Sequence, residues 1–125
     1  FEFQRRDGKR HLAHDDPRLV ATVDAVDTTL RRGPGLLRYP GDPYVGGNPW
    51  LLTRLWLGLA RREPGATGPA EGLADVAACA TTAGLLAEQV DADTGRPVWV
   101  VPLAWTHAFL ALACRPDHRP AAPAA

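Results

Sequence analysis

No methionine occurs anywhere in the chain, and its first residue is Phe1. A charged-then-apolar opening segment of the secretory kind is also missing. We therefore expect the C-terminal part of a longer protein. Its compartment is not readable from the first residues, and only the missing signal segment leans, weakly, toward the cytoplasm. Net charge is lacking too. Fourteen basic residues balance 14 acidic ones, with the signs mixed along the chain. That balance argues against nucleic acid or an anionic membrane as the main partner. No apolar run approaches the roughly 18–20 residues of a membrane span. Cysteine is scarce: Cys79 and Cys114 are not spaced as a metal knuckle. Each lies in an apolar, helix-like stretch and reads as a buried free thiol, whereas a bridge between them would favour an oxidising compartment. His11, His14 and His118 show no ligand spacing, and neither a metal nor any other cofactor is expected.

What remains is ordinary globular protein, 125 residues with 46% apolar and 22% charged content, enough for one domain with a modest core. Phe1 to His14 is basic, polar and aperiodic. Asp16-Pro17 starts a helix, an acidic N-cap followed by proline at the first helical position. Leu19, Val23, Val26 and Leu30 follow on one face, and Gly33-Pro34-Gly35 ends the helix. Asn48-Pro49 repeats the start signal for a second helix, Pro49–Arg62. It is apolar nearly all round and so expected to be buried on several sides. A third helix is expected over Ala70–Ala83 with Gly84 as its C-cap. Residues 85–103 read as a long loop with a turn at Asp91–Gly95 and a short extended piece at Val98–Val101. A fourth helix runs over about Ala104–Ala113. Arg115 to Ala125 is a Pro/Ala-rich tail expected to be disordered.

Two loops carry chemistry. The first, Arg38 to Trp50, is dense in glycine, proline and ligand-binding side chains and runs straight into the second helix. The second carries Glu88 out of an apolar run and is followed by the Trp105/His107 helix. Both lead into a helix at its N-terminus, so both should open at one end of the bundle. Taken singly, each residue has a plain reading. Glu88 is then a solvated loop glutamate, Arg38 a surface arginine, Tyr44 and Trp50 helix-entry packing, and His107 a satisfied structural histidine. Taken together, they read as a carboxylate, a forked cation able to clamp hydroxyls, and aromatic faces on which a sugar can stack. Gln89 is placed to donate a hydrogen bond locally. Trp105 and His107 stand two apart and cannot share a helical face, so one can face the pocket while the other binds the loop.

These residues carry a resemblance. Arg38–Trp50 resembles the Arg-Tyr-(Pro/Glu)-x-Asp-x-Tyr-x-Gly-Asn-Pro-Trp segment of glycoside hydrolase family 15, the glucoamylase family. Glu88-Gln89 with Leu103-Ala104-Trp105-Thr106-His107-Ala108 resembles that family's Glu-Gln…Leu-Thr-Trp-Ser-(Tyr/His)-Ala end. The match covers roughly Pro17 to Ala113 and leaves Phe1–His14 poorly matched. It implies an all-α fold, the last part of an α/α toroid of six helical hairpins, with residues 1–114 as the C-terminal portion of the catalytic domain and 115–125 as a tail. The implied activity is inverting hydrolysis of α-glucosidic bonds at the non-reducing ends of maltooligosaccharides or starch-like glucans. In that chemistry one carboxylic acid protonates the leaving oxygen. A second carboxylate, about 6.5–9.5 Å away, activates water from the opposite face. By motif Glu88 is the general base. Arg38, Asp42, Tyr44, Trp50 and Trp105 match substrate-binding positions, with Gln89, Thr106 and His107 in support. The general acid lies upstream in the family.

Three positions depart from the pattern: Thr106 for a usual serine, Ala104 for a usual threonine, and Trp99 where many relatives carry a serine that supports the base. A dextran- or isomaltose-acting relative is the nearest rival. A trehalose-hydrolysing branch fits less well, because it lacks the Gly46–Trp50 sequence and has an acid pair in place of Glu88-Gln89. From other classes come a non-catalytic remnant or sugar-binding helical piece and a plain helical interaction module.

Overall fold

A computed structural model describes residues 12–117; His11 and His118, the chain before residue 12 and the tail after 117 lie outside the described residues. The order is helix α1 (Pro17–Leu30), strands β1 (Arg31–Arg32) and β2 (Gly35–Leu36), a 3-10 turn (Tyr44–Gly47), then helices α2 (Leu51–Arg61), α3 (Leu73–Ala78) and α4 (Ala104–Cys114). The architecture is mostly helical with one small antiparallel hairpin, Arg31 opposite Leu36 and Arg32 opposite Gly35.

α1 starts as its sequence dictates. Asp16 caps it by accepting from the Arg18 amide at 2.9 Å, and Pro17 takes the first turn. The helix stops at Leu30, earlier than Gly33-Pro34-Gly35 suggested. Those residues instead turn the hairpin, because Leu36 is drawn into pairing with Trp50. α2 is the central element and packs on α1, α3, α4 and β2. Leu51, Leu55, Ala70, Val76, Cys79, Leu86, Ala87, Val90 and Ala113 form the core around it. As expected, α2 is buried on several sides.

Four expectations are corrected. Asn48-Pro49 does not cap α2. Trp50 stays extended, bridged to Leu36 on one side and Gln89 on the other, so the helix begins at Leu51. The third helix shrinks to six residues, and Gly84 sits in a separate turn closed by its own amide on the Thr81 carbonyl. Of the two free thiols Cys79 is buried, but Cys114 is exposed at the end of α4. The first residues of the expected tail are held in place: Arg62 donates to the carbonyls of Ala113 and Arg115, and the Asp117 amide donates to Ala66.

Charge ties α1 to α2 and to the start of α3. Arg61 reaches Asp24, Asp27 and Glu71, while the buried Arg54 reaches Glu71 and Asp75. α1 itself has no buried residue. Val26, on its predicted apolar face, is exposed, and an open apolar groove runs along Ala21, Ala25, Val26 and Leu30 to Pro40.

Candidate active site

Four short extended segments, one of them strand β2, bring the two loops together. Trp50 and Leu36 exchange backbone bonds at 2.9 and 3.3 Å. On its other side the Pro49–Leu51 stretch pairs with Glu88–Val90, through Leu51 N to Glu88 O at 3.2 Å and Val90 N to Pro49 O at 3.1 Å. Beyond it the Val98–Val100 piece closes the ribbon, with Glu88 N donating to Val100 O at 3.0 Å and Val98 N donating to Gln89 O at 3.1 Å. The Glu88 backbone is thus pinned from both sides.

Beside this ribbon lies a cavity of about 530 Å³ lined by Arg38, Trp50, Leu52, Thr53, Trp56, Glu88, Leu103, Ala104 and Trp105. Three of the chain's four tryptophans wall it, and Glu88 is its one carboxylate among the described residues. That carboxylate is half-buried, and nothing among the described residues hydrogen-bonds it. Loss of hydration raises its pKa above the ordinary glutamate value, and the Arg38 charge offsets this only in part. Trp105 is 65% exposed and forms an open edge of the cavity.

Arg38 is locked. Its Nε donates to Asp42 Oδ2 at 2.7 Å and its Nη2 to Asp42 Oδ1 at 2.8 Å, the forked geometry that carboxylates favour. The guanidinium also lies over the rings of Tyr44 at 4.7 Å and Trp50 at 4.9 Å. Tyr44 in turn stacks on Trp50 with ring centroids 5.9 Å apart. Asp42 is buried and also accepts the Tyr44 amide, at 3.1 Å. Arg38's hydrogen bonds hold its carboxyl well below the usual aspartate range, and the carboxylate holds the guanidinium higher still. Arg38 keeps Nη1 without a partner among the described residues.

The structure thus brings Glu88, Arg38, Trp50 and Trp105 to one cavity. Asp42 and Tyr44 stand behind Arg38 and are not among the lining residues. Gln89 is fully buried, its Nε2 donating to Asn48 O at 2.8 Å and Tyr44 O at 3.3 Å. Thr106 is buried and donates to the Ala87 carbonyl at 3.2 Å. His107 accepts the Leu86 amide on Nε2 at 3.2 Å, and its Nδ1 meets Leu103 O at 2.9 Å. The neutral tautomer with the proton on Nδ1 satisfies both contacts, so His107 holds the Glu88 loop on α4 while Trp105 faces the cavity.

Leu52, Thr53 and Trp56 line the cavity as well, whereas the sequence points only to a helix buried on several sides and to none of the three as a site residue. Trp56 is 45% exposed and meets Phe109 edge-on at 5.6 Å. The signal was partial: Thr53 and Trp56, three apart in α2, share a helical face, and the extended Trp50 leads into it.

Among the described residues no group of three or more His, Cys, Asp or Glu is placed to hold a metal ion, and no helix is long and apolar enough to cross a membrane. No protein-family model and no solved structure matches the chain. It is 32% identical over 109 residues to a protein of Methanocaldococcus jannaschii named an uncharacterized glycosyl hydrolase. The match takes in 76% of this chain but 18% of that protein, so the chain spans under a fifth of its relative's length.

Proposed function

We propose that the chain is the C-terminal part of the catalytic domain of a glycoside hydrolase, resembling family 15, built as an α/α toroid and hydrolysing α-glucosidic bonds with inversion. The observation that carries this reading is an unpartnered, half-buried carboxylate, Glu88, sharing an aromatic-walled cavity with a pre-oriented guanidinium, Arg38. The glycosyl hydrolase name of the relative supports the broad class.

In this mechanism the non-reducing glucose unit stacks on the indole walls, and Arg38 Nη1 donates to its hydroxyls. Glu88 accepts a proton from water as the water oxygen bonds to the anomeric carbon. The bond to the leaving oxygen breaks, and a second carboxylic acid supplies that oxygen's proton. By the family resemblance that acid comes from the preceding part of the longer protein; among the described residues Glu88 is the one carboxylate lining the cavity. The products are β-glucose and a shortened glucan. Arg38 needs no reorientation to take up the sugar hydroxyls, since Asp42 and the Tyr44 and Trp50 rings already fix its plane. α-1,4 linkages are the substrate we assign; dextran or isomaltose cleavage is the variant to test beside them.

The test uses the full-length protein with maltotriose. Glu88→Gln should lower kcat about 10³-fold or more while leaving KM within a few-fold, because the neutral amide keeps the shape and loses the basicity. Proton NMR of the first glucose released should show the β-anomer. Near-normal turnover in the variant would remove Glu88 from the mechanism, and initial α-glucose would exclude inversion. A sugar-binding piece without catalysis, which the single carboxylate also suits, predicts maltotriose binding and no glucose from the wild type.

A further inference from the structure

We infer that Gln89 is a positioning residue for substrate binding: its buried amide staples the strained Tyr44–Asn48 loop against the Glu88 segment and so holds the Arg38–Tyr44–Trp50 wall in place. The inference rests on the sugar-hydrolase reading of this cavity.

The loop is costly to hold. Val45 lies at φ 47° and ψ 51°, a left-handed conformation that a β-branched residue rarely adopts, and Gly46 and Gly47 follow with φ of 74° and 70°. Three successive left-handed residues need outside support. Within the loop, Asn48 Nδ2 donates to Val45 O at 2.7 Å, and Arg32 donates to Gly47 O at 2.8 Å. From the opposite segment, Gln89 Nε2 donates to the carbonyls of Tyr44 and Asn48, the two residues that bracket the left-handed run. Gln89 is fully buried, and its Oε1 has no partner. A side chain kept in that setting holds a definite geometry rather than filling space. The amide's two N–H groups meet two carbonyls, a match neither a carboxylate nor a thioether can make.

The geometry it fixes is the binding wall. Tyr44 carries Arg38 on its ring and stacks on Trp50, so a displaced Tyr44 backbone withdraws the ring that supports both. The Glu88 backbone has its own anchors on Leu51 and Val100 and does not depend on the staple. Loss of the staple should therefore appear in KM far more than in kcat. A purely structural role would do the reverse, reducing the active fraction and hence apparent kcat with KM unchanged.

The experiment compares wild type, Gln89→Met and Gln89→Glu in the full-length protein on maltotriose. Met matches the shape and leaves the two carbonyls unpaired. Glu adds a carboxylate facing them. We expect KM to rise about 10-fold in Gln89→Met and further in Gln89→Glu, with kcat per folded molecule within about threefold of wild type. If Gln89→Glu does not fold, the isosteric Gln89→Met decides alone. An unchanged KM in Gln89→Met overturns the inference, as does a fall in kcat at constant KM. Glu88→Gln, run beside them, separates the two claims. Full turnover there removes the hydrolase reading, whereas its inactivity with an unchanged Gln89→Met KM removes only the staple.

Discussion

Burial raises the pKa of Glu88 while Arg38 lowers it, and burial is the larger effect. This has a thermodynamic signature apart from catalysis. In the unfolded chain Glu88 titrates near the ordinary glutamate value, about 4.3; in the folded protein it titrates higher. Between the two values the native state binds more protons than the unfolded state, so the group's contribution to stability falls as pH rises. The loss is complete once pH exceeds the folded pKa. Glu88→Gln removes this term. The variant should match wild-type stability at pH 3–4 and exceed it at pH 7, read as melting temperature across that range. A wild type more stable than the variant at pH 7 would mean that Arg38 outweighs burial at the site. Glu88 and Arg38 could be picked out from residue type and motif alone. Asp42 was suspected from the motif, whereas its fork on Arg38 lies in a loop and follows no helical spacing. The partners of Gln89 could not, because Tyr44 and Asn48 lie 45 and 41 residues away and offer backbone oxygens, which leave no mark in a sequence.

Elements show the same division between local and distant causes. α1 and α4 were readable because their signals are local: a cap, a proline and an apolar face for α1, an apolar run after a loop for α4. The start of α2 was misplaced by two residues because a distant pairing, Trp50 with Leu36 and Gln89, overrode a good local cap at Asn48-Pro49. α3 was overestimated because alanine-rich sequence favours helix wherever nothing interrupts it. Here the chain turns at Cys79–Gly84 to deliver Leu86 and Ala87 to the core. Another distant contact yields a prediction. Gly58 lies inside α2, where intrinsic propensity favours alanine by about 1 kcal/mol. A Cβ there would lie 1.9 Å from the Glu71 carbonyl oxygen. The clash should win, and Gly58→Ala should destabilise the protein by about 1–3 kcal/mol in urea unfolding. Stabilisation by the propensity increment would show that the Glu71 segment yields freely.

At the scale of the whole molecule, the apolar surfaces are as informative as the core. α1 buries none of its residues, Val98–Val101 are each about 39–46% exposed, and Trp105 is 65% exposed at the cavity mouth. Apolar surface of that extent usually marks a site of contact. The chain spans 18% of the relative it matches. Among the described residues the cavity contains one carboxylate where inverting hydrolysis uses two. These three facts have one common consequence in the proposed reading: the site is finished by chain outside these residues. The isolated 125-residue chain should then release no glucose from maltotriose above the Glu88→Gln background. The full-length protein should do so with Glu88 dependence. The half-site should still show its binding chemistry, since Arg38 is oriented by residues within the chain: weak, millimolar-range association of maltotriose, abolished by Arg38→Met and followed by tryptophan fluorescence at Trp50 and Trp105. Glu88-dependent turnover by the isolated chain would overturn the two-part site. It would require the second acid to come from this chain itself, or from a second copy of it.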